Sequence, residues 1–399
     1  MSTHTMRVTR PINCFELFAG CGGLGYGFHH QGFNIVAANE LEPDIAKTYQ
    51  ANFPETKVIV GDITQPAIKA EIYKQFEQQP CDIILGGPPC VAYSMAGHRN
   101  SRDPRGQLFK DYIQVVKKLN PKVFIMENVK GILTIMHDKP ALTPAEQKIA
   151  DEYYLLEAEK LKLMAEKKQS TVNEEVFQKD AQLKTVTDDI KHMQKQLGKF
   201  RMKVTDIIKN TFEEIGYRVE MQLLNSANYG VPQKRERVIF IGVRKDLPHA
   251  ITFPSETHNK NGTDGQQKWV SVREAIDDLK DMAEDAEHLQ QIYTVHSADF
   301  IEKIKNTPLG KSVNPKYSEA FFRCEPDSPS NTVKENHGGV FIHYEKNRVM
   351  TPRELARLQS FPDAFKFKGS KTNMLIQIGN AVPCGLSQAI AGEVRKLFN

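Results

Sequence analysis

A cysteine directly follows two prolines in residues 86–94 (GGPPCVAYS). The prolines stiffen the turn, and the glycines allow another group to approach the backbone closely. Residues 81–85 (CDIIL) predict a buried strand, so Cys90 is expected on a rigid loop at the carboxyl end of a strand, where open α/β sheets hold their active sites. A thiol in that position is a candidate nucleophile. The alternative is a buried cysteine that serves only as a small apolar residue.

A glycine-rich turn supplies a second candidate site. Residues 20–25 (GCGGLG) have GxGxxG spacing, follow an apolar strand and open toward a helical pattern. Glu40 stands twenty residues after Gly20, where a carboxylate can accept hydrogen bonds from a ribose diol. Asp62 and the ring of Phe18 are placed to contact an adenine. These residues fit NAD, FAD or S-adenosylmethionine equally, and a tight turn without a ligand is the alternative.

Alternating strand and helix patterns would position both candidates. Short strands are predicted at residues 13–18, 34–39, 57–60, 81–85 and 123–126, with a helix at 108–119. Such alternation is typical of a parallel, doubly wound α/β sheet. Residues 218–224 and 237–243 then predict a pair of strands that continues the sheet.

A stretch of different character interrupts the sheet. Residues 145–197 contain neither glycine nor proline and are rich in Lys, Glu and Gln. Apolar residues recur in steps of three and four at Leu183, Val186, Ile190, Met193, Leu197, Phe200 and Val204. This spacing is typical of a coiled-coil seam, and Thr171 with Glu174 has the spacing of a capping box. We therefore expect an antiparallel helical hairpin, either a structural arm or a surface that binds a partner.

Composition limits the class of protein. The chain has 399 residues, 40% of them hydrophobic and 26% charged, with a formal net charge of +4. This mildly basic balance permits a nucleic-acid partner without requiring one. The six cysteines form no CxxC pair, so neither a zinc site nor a disulfide framework is expected. No apolar run approaches a membrane span, and no secretory signal is visible, so we expect a cytoplasmic protein that does not enter membranes.

Six blocks together resemble the DNA (cytosine-5)-methyltransferases. The blocks are residues 15–23 (FELFAGCGG), 87–90 (GPPC), 127–129 (ENV), 233–237 (QKRER), 353–363 (RELARLQSFPD) and 377–383 (QIGNAVP). They follow the family order and span nearly the whole chain, which makes them far more specific than any one block. The resemblance implies a Rossmann-like methyltransferase fold with S-adenosylmethionine as the cofactor.

The same resemblance implies a domain organisation. Residues 1–265 would form the catalytic, cofactor-binding domain, with the helical insertion at about 137–205. Residues 266–350, where loops dominate, would form a small target-recognition domain, and residues 351–399 would complete the catalytic domain. The insertion is longer than the family usually carries there. The recognition region is rather short, and only Thr332 and Val333 match a family dipeptide within it.

The resemblance also implies catalytic roles. The Cys90 thiolate would add to C6 of a cytosine flipped out of the duplex, which makes C5 nucleophilic. Glu127 would act as the acid at N3, and it must carry a proton to do so, which burial behind the base favours. Arg237 would hold the cytosine O2, and Arg235 would grip a flanking phosphate or steady the loop. Asn128 would orient the cysteine loop through hydrogen bonds to its backbone.

The remaining expected site residues contact either the cofactor or the DNA. The cofactor set is Phe18, Gly20, Gly22, Gly23, Glu40, Leu41, Asp62, Ile63, Pro88, Asn380, Ala381 and Val382. The substrate set is Ser94, Arg99, Gln233 and Thr332, and no metal ligand is expected.

The expected function is methyl transfer to C5 of a cytosine in double-stranded DNA, with sequence specificity. A cognate restriction endonuclease is a candidate partner, and we expect a monomer whose helical arm can mediate contacts. Two other functions remain open, a transfer-RNA cytosine-5 methyltransferase and a non-catalytic DNA-binding regulator on the same scaffold. An oxidoreductase fits the glycine turn alone and leaves the GPPC and ENV blocks unexplained.

Overall fold

The computed structural model describes residues 10–89, 108–139, 141–170, 173–314, 316, 320–335 and 341–398. These residues divide into two compact units. Unit 1 contains the described parts of residues 10–89, 108–130 and 216–398. Unit 2 contains the described parts of residues 131–215.

The strands and helices are numbered in chain order. The strands are β1 (Asn13–Leu17), β2 (Asn34–Glu40), β3 (Lys57–Val60), β4 (Ile83–Gly86), β5 (Val123–Val129), β6 (Met136–Asp138), β7 (Arg201–Lys203), β8 (Tyr217–Asn225), β9 (Glu236–Arg244), β10 (His258–Asn259), β11 (Gln267–Lys268), β12 (Phe322–Arg323) and β13 (Phe341–Ile342). The helices are α1 (Gly23–His30), α2 (Pro43–Asn52), α3 (Pro66–Lys74), α4 (Leu108–Leu119), α5 (Pro144–Gln169), α6 (Asn173–Leu197), α7 (Val204–Glu214), α8 (Val272–Ile276), α9 (Ala298–Lys305), α10 (Pro352–Leu358), α11 (Lys371–Asn380) and α12 (Cys384–Arg395).

A seven-stranded sheet, in the order β3-β2-β1-β4-β5-β9-β8, forms the centre of unit 1. Strands β1 to β5 are mutually parallel, whereas β9 is antiparallel to both β5 and β8. The prediction of an α/β doubly wound sheet is therefore confirmed. Because β1 to β5 run in one direction, their carboxyl ends share one edge, where the candidate residues were expected.

The C-terminal helices pack onto the first helix of the sheet. Gly27 of α1 lies directly against Ser387 and Gln388 of α12, where a side-chain carbon would overlap the α12 backbone. The hydroxyl of Ser387 donates to the Leu24 carbonyl. Residues from both ends of the chain thus share one apolar core, to which Phe28 and Leu386 contribute. This packing explains how a C-terminal block can reach the glycine turn.

The predicted helical hairpin is present in unit 2. Helices α5 and α6 run antiparallel, because Glu166 pairs with Lys179 at one end while Tyr153 lies beside Gln194 toward the other. The predicted seam is buried at Val186, Ile190, Met193, Leu197, Phe200 and Val204, while Leu183 is partly exposed. The expected cap residue Thr171 lies outside the described residues.

A polar cluster closes the base of the hairpin. β6 and β7 form a small antiparallel sheet, and Arg201 of β7 bonds to Asp138 of β6 at 3.0 Å. Tyr154 of α5 donates to Asp138 and accepts from Arg201, both at 3.0 Å. These contacts fasten α5 to the small sheet, so the hairpin and its base form one packed body.

Short elements dominate residues 253–350, as expected. The pairs β10–β11 and β12–β13 each contain two-residue strands, and α8 and α9 are short. The described residues of 266–350 belong to unit 1, so the boundary between a catalytic and a recognition domain remains a prediction. In the part of the chain that the structure describes, no helix is both long enough and apolar enough to cross a membrane.

Candidate active site

Residues 87–89, which lead into Cys90 and are called the stem of the cysteine loop, are anchored at the edge of the sheet. Pro88 follows β4, and its carbonyl oxygen accepts a hydrogen bond from the Asn128 side-chain nitrogen at 3.3 Å. A side-chain carbon at Gly87 would lie 3.0 Å from Oε2 of Glu127. The loop stem therefore runs directly past the end of β5. The candidates Cys90, Ser94 and Arg99 lie outside the described residues.

Glu127 and Arg237 form an ion pair beside this stem. Nε of Arg237 lies 2.7 Å from Oε1 of Glu127, and both side chains are largely shielded from solvent. In the antiparallel ladder Val129 opposes Arg237 and Glu127 opposes Ile239, so the pair is a diagonal contact on one face of the sheet. A carboxyl and a guanidinium fixed side by side can bind a planar group that offers a ring nitrogen next to a carbonyl oxygen.

Arg235 faces the interior instead of the ion pair. Its two terminal nitrogens donate to the carbonyls of Val333 at 2.7 Å and Gly379 at 2.8 Å. The side chain is almost fully buried, and burial together with the nearby Arg237 lowers the pKa of the guanidinium. Because both terminal nitrogens of its guanidinium are bonded to backbone oxygens, Arg235 is placed to stabilise the backbone at Val333 and Gly379 and not to bind a phosphate.

Gln233 and Thr332 join the same backbone segment. The fully buried amide of Gln233 donates to Leu358 O and Gln359 Oε1 and accepts from the Val333 N–H at 2.8 Å. Thr332 is half-buried, and its hydroxyl donates to the Lys234 carbonyl at 3.0 Å. Of these two expected substrate contacts, only Thr332 is partly exposed to solvent in this structure.

The glycine turn has an open face among the described residues. Gly20 and Gly22 have φ of 56° and 95°, a region in which side chains are strained. Among the residues that the structure describes, none has an atom within 4 Å of a side-chain carbon placed at Gly20. The backbone N–H of Gly20 donates to Oε2 of Glu40 at 2.8 Å, and the N–H of Glu42 donates to Oε1 at 2.9 Å. The turn and the end of β2 are thus held together around an open face.

The other expected cofactor residues surround this opening from several elements. Leu41 is 56% exposed directly after buried Glu40, so it offers apolar surface that a ligand could cover. Phe18 is half-buried with φ of 57°, an uncommon conformation for a residue other than glycine. Asp62 caps its own turn by accepting from the Thr64 N–H at 2.9 Å, while Ile63 is buried beneath it.

The C-terminal block reaches the same opening. A side-chain carbon at Gly23 would overlap the Val382 carbonyl oxygen and lie 3.1 Å from the Ala381 side chain. Asn380, at the end of α11, is exposed next to this contact. The structure therefore brings the glycine turn and residues 380–382 together. These two segments, both of which are expected to contact the cofactor, are called the cofactor wall below.

Replacing Gly23 by alanine should weaken cofactor binding, because the added carbon forces Val382 away from the turn. We expect the dissociation constant for S-adenosylhomocysteine, measured by titration calorimetry, to rise about tenfold or more, which corresponds to about 1.4 kcal/mol. Gly392→Ala is the matched control, since its added carbon meets Gln31 only at 3.8 Å. Equal affinities for the two variants would contradict the assignment of Gly23.

A buried acid beneath the turn was not among the predicted site residues. Glu16 of β1 accepts from the Gly25 N–H at 2.9 Å and from the Tyr49 hydroxyl at 2.6 Å. Burial, with a smaller contribution from Glu40, raises the pKa of Glu16 to about 7, although its two hydrogen bonds oppose the rise. The FELFAG block contains this residue, and an acid inside an otherwise apolar strand was the available signal.

The raised pKa of Glu16 predicts a pH-dependent stability. Between its ordinary pKa of 4.5 and the folded-state value of about 7, the folded chain retains a proton that the unfolded chain has lost. The free energy of unfolding therefore loses about 3 kcal/mol from this group as the pH rises through that window. In Glu16→Gln this loss should vanish. Urea unfolding of both proteins at pH 5 and pH 8 measures the effect. Because all other titrating groups are shared, their contributions cancel when the pH dependence of the variant is subtracted from that of the wild type. Parallel pH dependences in the two proteins would contradict it.

Comparison with known proteins connects this geometry to a family. Residues 12–162 and 188–396 match the family model described as C-5 cytosine-specific DNA methylase. Residues 163–187, in the outer part of the helical hairpin, lie between the two matched stretches.

Curated relatives cover almost the whole chain. The Type II methyltransferase M1.HphI of Haemophilus parahaemolyticus is 33% identical over 400 residues, covering 97% of this chain and 87% of the relative. The Type II methyltransferase M.DdeI of Desulfomicrobium norvegicum is 30% identical over 444 residues, covering 97% and 89%.

Solved structures share the fold. A prophage-encoded DNA modification methyltransferase from E. coli aligns with a TM-score of 0.65 and 22% identity, covering 97% of this chain and 99% of that one. A DNMT2 variant from Spodoptera frugiperda aligns with a TM-score of 0.56 and 18% identity over the same shares.

Proposed function

This chain belongs to the C-5 cytosine-specific DNA methylase family, and from that premise we propose how its own residues carry out the reaction. It is a DNA (cytosine-5)-methyltransferase that uses S-adenosylmethionine. The homologues are Type II restriction-modification enzymes, which favours this function over methylation of transfer RNA. The single observation that supports the proposed roles is the shielded Glu127–Arg237 pair beside the stem of the cysteine loop.

The proposed reaction begins with the Cys90 thiolate. The target nucleotide must first leave the duplex, at a cost of a few kcal/mol, because C5 and C6 are inaccessible in stacked DNA. The sulfur then adds to C6, and the electron pair moves onto the N3–C2–O2 edge of the ring. C5 thereby becomes nucleophilic. After C5 is methylated, loss of its proton and elimination of the thiolate restore the aromatic ring.

Glu127 and Arg237 would stabilise the charge that this addition creates. The Glu127 carboxyl would share a proton with N3, and the Arg237 guanidinium would hold O2. These contacts strengthen as negative charge develops, so they favour the transition state over the ground state. The 2.7 Å spacing between the two groups suits the adjacent N3 and O2 atoms of one pyrimidine. On this proposal the incoming base takes the place of their mutual ion pair.

Two neighbouring residues would act by positioning. Asn128 would orient the cysteine loop through its bond to Pro88, and Arg235 would steady the backbone at Val333 and Gly379. Ser94, Arg99 and Thr332 would contact the DNA. For Gln233 the buried and fully bonded amide supports a positioning role in place of direct substrate contact.

The proposed contacts of the cofactor wall are to the nucleoside part of S-adenosylmethionine. Glu40 offers a carboxylate for the ribose diol, and Asp62 offers one for the adenine amino group. The open face at Gly20, the exposed Leu41 and the half-buried Phe18 supply apolar surface for the adenine. When bound, S-adenosylmethionine supplies an electrophilic methyl group. The remaining contacts would come from Gly22, Gly23, Ile63, Pro88, Asn380, Ala381 and Val382.

The biological partners follow from the restriction-modification context. Double-stranded DNA is the substrate, and we propose that a restriction endonuclease recognises the same sequence. We also propose a cytoplasmic monomer with a target-recognition region within residues 266–350. Expression in a host that lacks cytosine methylation, followed by base-resolution sequencing of its genome, tests the function. We expect 5-methylcytosine at one defined sequence, and an unmodified genome would contradict the proposal.

A further inference from the structure

A buried polar network joins the segment that carries Thr332 to the centre of unit 1. Ser330 pairs with Gln233 as an isolated bridge, and the Lys234 N–H donates to the Ser330 carbonyl at 2.8 Å. Val333 is held at both polar atoms, because its N–H donates to Gln233 and its carbonyl accepts from Arg235. The segment 330–333 therefore has its backbone position set by two buried side chains.

The same network continues to the end of α11. Gln359 accepts from Gln233 at 2.8 Å and donates to the carbonyls of Ile378 at 2.6 Å and Ala381 at 3.3 Å. Arg235 adds a bond to Gly379 at 2.8 Å. One connected set of side chains thus bonds simultaneously to the Thr332 segment and to residues 378–381.

A close backbone approach reinforces this connection. A side-chain carbon at Gly379 would overlap the backbone of Lys334 and Glu335, so the chain that follows Val333 lies directly on α11. Beyond α11, Ala381 and Val382 press against Gly23 of the glycine turn. A displacement of residues 330–335 cannot leave the cofactor wall unchanged, because no space separates the two along this path.

We propose that Gln359, Gln233 and Arg235 are positioning residues that couple DNA binding at the Thr332 segment to cofactor binding at residues 378–382. This inference rests on the proposed function, which assigns DNA to Thr332 and the cofactor to Ala381 and Val382. When the segment binds DNA, the position of Val333 becomes fixed. The side-chain amides of Gln233 and Gln359 connect Val333 to the carbonyls of Ile378 and Ala381, so the position of the cofactor wall becomes fixed as well. Each ligand consequently raises the affinity for the other.

The network has the physical properties that such coupling requires. Gln233, Arg235 and Gln359 are almost fully buried, and a buried polar group that loses a partner costs about 1–3 kcal/mol. A shift of residues 330–333 without residues 378–381 would break buried hydrogen bonds that water cannot replace. We therefore expect the two segments to move together. Coupling between two sites is reciprocal. DNA must therefore raise the affinity for the cofactor by the same factor by which the cofactor raises the affinity for DNA.

The test measures S-adenosylhomocysteine affinity by calorimetry with and without a duplex that carries the target sequence found by sequencing. In the wild-type protein we expect the duplex to tighten binding by a factor of roughly 5–150, the usual range for coupled sites. Gln359→Met, which removes the donors to Ile378 and Ala381, should reduce this factor to near 1. Gly379→Ala, which separates α11 from residues 334–335, should do the same without changing any polar group.

Gln291→Met is the matched control, because Gln291 is equally buried but bonds to Leu279 and Thr351, away from this network. It should retain the wild-type coupling factor. If Gln359→Met does not fold, Gly379→Ala decides the question. A coupling factor that survives in Gly379→Ala, or that is absent from the wild type, overturns the inference. A wild-type protein that methylates DNA yet shows no coupling would leave the proposed function intact and remove only the coupling.

Discussion

Cys90→Ser is expected to abolish methyl transfer while leaving DNA and cofactor binding intact. A serine hydroxyl is almost entirely protonated at neutral pH, whereas a thiol with a pKa near 8.5 is a few per cent thiolate, and sulfur is intrinsically the better nucleophile. Without addition at C6, C5 remains part of an electron-poor aromatic ring and cannot accept a methyl group. Transfer of labelled methyl groups to unmethylated DNA should fall to background. Calorimetric affinities for S-adenosylhomocysteine and DNA should change little.

Trapping of the covalent intermediate makes this prediction specific. DNA synthesised with 5-fluorodeoxycytidine carries fluorine where the C5 proton must leave, so in the presence of S-adenosylmethionine the methylated adduct forms but cannot be resolved. The wild-type protein should give a denaturant-resistant complex, and Cys90→Ser should give none. Cys81→Ala is the control, since Cys81 is a buried cysteine whose thiol donates to the Ile83 carbonyl. A stable adduct in Cys90→Ser, or none in the wild type under conditions of demonstrated binding, would contradict the mechanism.

The sheet and the hairpin could be predicted because their signals are local. The apolar run at β3 and the helix α4 begin and end at the predicted residues, since each is bounded by polar or turn-forming residues nearby in sequence. The seam of α6 follows from apolar spacing alone. β5 extends three residues beyond its predicted end, to Val129, because pairing with β9 carries the ladder through polar Glu127 and Asn128. The hydrophobic pattern of a sequence does not show where pairing with a distant strand extends a strand into polar residues.

The family resemblance distinguishes the roles of Arg235 and Arg237, whereas their spacing does not. The two arginines are two residues apart near the start of one strand, and this spacing alone does not indicate which of them faces the site. Their environments depend on Val333, Gly379 and Glu127, which are 98, 144 and 110 residues distant from the arginine that each contacts. The same limit applies to Gln359, whose partners lie on other segments. Roles set by distant backbone carbonyls become visible only after folding.

Glu127→Gln should lower the rate of methyl transfer by about 10²–10⁴-fold, the usual effect of losing a general acid. Glutamine has nearly the same shape and can still hydrogen-bond, but its amide cannot give up a proton to N3 as charge accumulates there. The loss should appear in kcat, because the missing interaction belongs to the transition state, while the KM for DNA changes much less. Steady-state kinetics with labelled cofactor on unmethylated DNA separates the two parameters.

Disruption of the Arg237 ion pair is the competing explanation for such a loss, and two measurements distinguish it. In Glu127→Gln the Arg237 guanidinium loses its carboxylate partner inside a shielded site, so some stability is lost whether or not Glu127 is an acid. Glu236→Gln breaks the neighbouring but exposed pair with Lys130 and should retain full activity. Because proton donation assists addition at C6, adduct formation with 5-fluorocytosine DNA should slow in Glu127→Gln by the same factor as turnover, at temperatures where the variant is fully folded. An adduct that forms at the wild-type rate would show that Glu127 does not serve the addition step, and would leave it only the task of holding Arg237 in place.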